Sequence, residues 1–147
     1  MSDFDFYPPK PELIESESKT NWAATLFSIV LFVLVFMFMF SNEINFILAL
    51  VIVLLIHEMG HFLLMKLFGY RNVRMLFVPL MGAFVHGKKD TYSQKESLLV
   101  VGAGPFPGLI IGFNLMLFSQ HMNSPLMFQT GMLFLMLNII NLVPLDP

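Results

Sequence analysis

Residues 23–40 hold no Asp, Glu, Lys or Arg, and that one run constrains the chain more than anything else in it. Coiled into a helix at ~1.5 Å per residue, it covers most of the ~30 Å hydrocarbon core of a bilayer. A lipid-exposed backbone must satisfy its own hydrogen bonds, so the run reads as a transmembrane helix. Three more apolar runs follow, at about 45–68, at about 98–118, and from near Leu126 onward. The chain is therefore expected to be an all-α polytopic membrane protein with about four transmembrane helices. Composition agrees, because charged residues make up 12% of the chain, about half the ~25% a soluble domain needs to coat its surface.

The chain has no cysteine, which excludes disulfides and every thiolate-held metal or cluster. Any metal must rest on histidine and carboxylate. A net charge of -2 with no basic run gives nucleic acid no foothold. Residues 1–22 carry Asp3, Asp5, Glu12, Glu15 and Glu17 beside Pro8, Pro9 and Pro11. They read as a polar N-terminal tail, unlike a positively charged leader, with residues 23–147 as the membrane-embedded core. Lys66, which closes the second run, and Arg71, Arg74, Lys88, Lys89 and Lys95, between it and the third, stand together. The positive-inside rule puts that loop, and with it the N-terminus two spans earlier, in the cytoplasm.

The second run contains Ile56-His57-Glu58-Met59-Gly60-His61-Phe62, an H-E-x-x-H pattern. Residues four apart share a helix face with Cβ atoms roughly 5–6 Å apart, so His57 and His61 can offer nitrogens to one metal ion. Glu58 stands about 100° round the helix, close enough to take a proton from a water on that metal. From Asn45, His57 is some 18 Å deep at ~1.5 Å per residue, where ionisable groups cost several kcal/mol unless they pair or bind something. Gly60 fits either a close helix approach or a helix break. His86 and His121 have no partner at ligand spacing and read as interfacial groups.

Residues 73–87 combine Pro79, Gly82 and Gly87 with β-formers at Val73, Phe77, Val78, Phe84 and Val85. A short β-hairpin is predicted here, between the second and third helices.

Four segments in this order resemble the site-2 protease family, intramembrane zinc metalloproteases. They are the H-E-x-x-H helix, the hairpin around Phe77-Val78-Pro79-Leu80-Met81-Gly82-Ala83-Phe84-Val85, the stretch Gly102-Ala103-Gly104-Pro105-Phe106-Pro107-Gly108, and Asn141-Leu142-Val143-Pro144. The resemblance implies hydrolysis of peptide bonds in transmembrane segments. It implies zinc held by His57, His61 and the aspartate of an L-D-G motif, with Glu58 as the base. Gly108 stands where many members have asparagine. The chain reads Pro144-Leu145-Asp146-Pro147, and the family spacing puts the ligand aspartate just past Pro147, so Asp146 is expected to be its neighbour and the core to continue.

On this reading a substrate segment unwinds and adds as a strand to the hairpin, with Gly82, Ala83, Phe84 and Asn141 as expected contacts. The alternative is a non-catalytic metal-binding membrane protein or an inactive protease-like scaffold. A transporter should string polar groups along a pathway. Here they are confined to one turn.

Overall fold

The computed structural model describes residues 21–41 and 43–142. Residues 1–20 of the expected tail, Val143, Pro144 and Asp146 fall outside them, whereas Asn21 and Trp22, the last two residues of that tail, cap and begin the first helix. Five helices and one hairpin follow in chain order: α1 (Trp22–Met39), α2 (Ile44–Leu67), β1 (Arg71–Val78), β2 (Gly82–Lys88), α3 (Gln94–Ala103), α4 (Pro105–Met122) and α5 (Pro125–Ile140). α2 is the axis, touching α1, both strands, α3, α4 and α5. Around it Phe32, Leu50, Leu54, Phe62, Val73, Met75 and Phe77 form the core. The outer surface stays apolar; Phe38, for example, is 90% exposed. Exposed apolar surface on that scale requires lipid against it.

Three segments are long and apolar enough to cross a membrane: Trp22–Met39, Ile44–Leu67, and Gln94–Met122, which joins α3 to α4. The expected fourth helix is α5, a shorter apolar helix of 16 residues, about 24 Å long at ~1.5 Å per residue.

The third run was expected as one helix, but it is two. Pro105 has no N–H to bond the Val101 carbonyl, and Pro107 has none for Ala103. The helix therefore ends at Ala103 and restarts at Pro105 around Gly104. Ser93 caps the start of α3 by accepting from the Glu96 N–H at 3.2 Å, and Ser124 does the same for α5 with Met127 at 3.4 Å. Gly112 and Gly131 meet backbone to backbone, which lets α4 and α5 pack tightly.

The hairpin forms where it was predicted, with Leu76 opposite Phe84 and Phe77 opposite Ala83. Pro79 and Leu80 turn the chain, closed by Met81 N–H to the Val78 carbonyl at 3.1 Å. Leu80 and Gly82 adopt positive φ of 68° and 100°. The tip residues Leu80 and Met81 are apolar and exposed, whereas Arg71, Arg74 and Lys88 sit at the open end. Apolar tip and cationic base are what a hairpin dipping into a membrane requires. His86 lies in β2 opposite Arg74.

α1 holds the outer edge of β1. The Thr25 hydroxyl donates to the Met75 carbonyl at 2.8 Å, and the Phe77 N–H donates to the Ser28 hydroxyl at 3.1 Å. Those backbone groups therefore point away from β2. Antiparallel alternation then turns the backbone groups of Ala83 and Val85, opposite Phe77 and Met75, outward on the far edge.

Candidate active site

His57 and His61 lie on one face of α2, as their spacing dictates. His57 and Glu58 are buried, at 4% and 5% exposure. The two Nε2 atoms are 3.1 Å apart. Each ring is fixed through its other nitrogen: His61 Nδ1 is 2.7 Å from the Val100 carbonyl, and His57 Nδ1 is 2.7 Å from Asn138 Oδ1. Both partners are acceptors, so each Nδ1 carries the hydrogen and each neutral ring presents a bare Nε2. Two bare nitrogens cannot hydrogen-bond to each other.

Their arrangement calls for a cation between them. Two nitrogens bound at ~2.0–2.1 Å to one tetrahedral zinc stand ~3.3 Å apart, close to the spacing here. Gly104 supplies the second sign of fit, because a Cβ there would collide with His61 Nε2 and lie 2.8 Å from His57 Nε2. The absent side chain leaves the space that an ion would fill. Donor chemistry agrees, since paired imidazoles suit zinc. Among the described residues no group of three or more His, Cys, Asp or Glu gathers at one point, so a third ligand is not among them. Asp146 lies outside the described residues.

Gly60 decides between its two expected roles. α2 runs through it unbroken, and a Cβ there would strike the carbonyl of Ala103. It is a close-approach glycine that seats the α3–α4 break against the histidines.

Glu58, His61, Ala83, Phe84, Val85 and Asn141 line one cleft of about 350 Å³. The backbone of Val85 hydrogen-bonds the Glu58 side chain. Ala83, Phe84 and Asn141 are thus gathered beside His61 and the Glu58 carboxylate. Gly82 lies at the start of β2, outside this lining. A larger cavity of about 540 Å³ lies between the start of α2 and α5, lined by Phe40, Glu43, Phe46 and Met132 among others. It holds neither histidine and is a groove on the apolar flank.

Three contributors went unread in the sequence. Asn138 is the amide in an otherwise apolar stretch of α5, and that isolation was a usable signal. Gly104 lay in plain view in the Gly-Pro stretch. The Val100 carbonyl carries no sequence signal, since backbone is common to every residue.

The chain is similar to known proteins in both sequence and fold. The sequence model of peptidase family M50 matches residues 45–128, from the start of α2 into α5. A zinc metalloprotease of Methanocaldococcus jannaschii is 36% identical over 108 residues, covering 69% of this chain and 30% of that protein. The site-2 protease structure from the same organism superimposes with a TM-score of 0.60 at 25% identity, covering 82% of this chain and 59% of that one.

Proposed function

This chain belongs to peptidase family M50, the site-2 protease family, and from that membership we propose that it is an intramembrane zinc metalloendopeptidase cleaving transmembrane segments of other proteins. The observation that carries the proposal is the pair of bare Nε2 atoms 3.1 Å apart, inside an apolar helix and one residue from Glu58. His57 and His61 would hold the zinc, with a third protein ligand following α5. Bound there, zinc supplies Lewis acidity, polarising a carbonyl and lowering the pKa of a water toward ~7.

The chain's own groups do the rest. Glu58 accepts a proton from the attacking water and returns it to the leaving amine. Burial of Glu58 and His57 keeps bulk water from the reacting groups. The outward N–H and C=O of Ala83 offer an unwound substrate a strand to pair with, and Val85, on the same edge, bonds the base. Phe84 and Asn141 flank the cleft, and Gly82 gives the strand its turn. The scaffold alternative predicts loss of the base or a ligand, whereas His57, Glu58 and His61 are all in place.

We assign the cationic base of the hairpin, and with it the N-terminus, to the cytoplasm. A cysteine at Ser93, in a chain otherwise without cysteine, should not react with an impermeant thiol reagent added outside intact cells. Labelling there would reverse the orientation.

Glu58→Gln tests the activity. In the full-length protein it should cut cleavage of a reporter transmembrane substrate on the order of a hundredfold or more while zinc content stays at the wild-type level. Undiminished cleavage would remove Glu58 from its role.

A further inference from the structure

Asn138 is a buried polar group that hydrolysis as described leaves without a task. It is 0% exposed, on an apolar helix where an amide is costly unless both its ends are bonded. Both are. Nδ2 donates to the Phe134 carbonyl at 2.7 Å, which fixes the amide's orientation and aims Oδ1 at His57 Nδ1, 2.7 Å away. Gly108 on α4 makes the room, since a Cβ there would fall among the atoms of the Asn138 amide.

We propose that Asn138 is the positioning residue for the metal ligand His57, its amide seated in the space left by Gly108 and locking the ring so that Nε2 faces the ion. The contrast with His61 makes the choice of residue informative. His61 is oriented by the Val100 carbonyl, which no substitution removes. His57 depends on a side chain from a helix 81 residues away in sequence, so its orientation ties α5 to the metal. Partners of this kind set the tautomer and basicity of a ligating histidine.

The inference rests on the zinc reading above, and its test separates the two. Zinc affinity is measured on the full-length protein in detergent by competition with a chromophoric chelator, and the ligand field by the visible absorption of the cobalt-substituted protein. N138L keeps the size of the side chain without the acceptor and should weaken zinc about 10- to 100-fold and alter the cobalt bands. N138D keeps the acceptor toward His57 but sets a carboxylate oxygen against the Phe134 carbonyl, so its zinc affinity should fall between those of N138L and wild type. In G108N/N138A the amide starts from α4 into the same space and should recover most of the affinity. This rescue, like the partial one in N138D, separates positioning from mere folding. Wild-type affinity with an unchanged cobalt spectrum in N138L would overturn the proposal, as would N138D binding as weakly as N138L. No zinc bound by the wild-type protein would overturn the metal reading itself, and this inference with it.

Discussion

The two edges of the β-hairpin are built from the same kind of backbone and are treated in opposite ways. On β1, the outward Met75 carbonyl and Phe77 N–H are taken by the hydroxyls of Thr25 and Ser28, two polar residues within an apolar span. On β2, the outward groups belong to Ala83 and Val85, and Glu58 of α2 meets them at Val85, beside a cleft. Unpaired strand edges are costly in lipid and prone to recruit another chain. One edge of this hairpin is sealed by its own protein, and the other is kept where the Glu58 carboxylate sits. The difference gives the site a direction, because a strand can be added on one side only.

The open edge predicts the larger effect. Proline at Ala83 removes an outward N–H without touching the bonds between the strands, which run through Leu76 and Phe84. Its kcat/KM for a transmembrane substrate should fall about tenfold or more with zinc content unchanged. Position 82 cannot serve, since Gly82 has φ 100° and proline is held near −65°. Equal activity in Ala83→Pro would mean that substrate does not pair with this edge.

The closed edge predicts a smaller effect of another kind. Thr25→Val with Ser28→Ala leaves the Met75 carbonyl and Phe77 N–H without their partners, at about 1–3 kcal/mol for each buried group. The unfolding midpoint in detergent should drop, while kcat/KM per folded molecule stays within about twofold of wild type. A large loss of turnover at unchanged stability would show that β1, too, takes part in substrate binding.

Much of this was legible before any coordinates. Uncharged runs gave the helices because a bilayer leaves the backbone few options, and Pro79 with Gly82 marked the hairpin against a further helix. His57, Glu58 and His61 were legible because four-residue spacing on a helix is a geometric fact. What escaped was set by tertiary contact. The break at Gly104 depends on prolines that could equally have stood inside a kinked helix. Gly108 showed in the sequence only as a glycine where many members have asparagine, and its empty space admits an amide from α5. Asn138 carries no motif, and its pairing with His57 spans 81 residues. The sealing of β1 rests on two hydroxyls that read, in sequence, as neutral members of an apolar helix.

Disulfide trapping shows whether substrate enters as a strand along β2 next to Glu58. In a Glu58→Gln background, single cysteines are placed at Phe84 or at Leu76, which face each other across the hairpin, and a cysteine is stepped through the reporter substrate around its scissile bond. A strand added to β2 lies ~4.8 Å from it and about twice that from β1. A disulfide needs Cα atoms roughly 4.4–6.8 Å apart. Strand addition to β2 should give cross-links to F84C at alternate substrate positions and none to L76C. Cross-links to L76C alone, or none to F84C with a substrate that the wild-type enzyme cleaves, would contradict it.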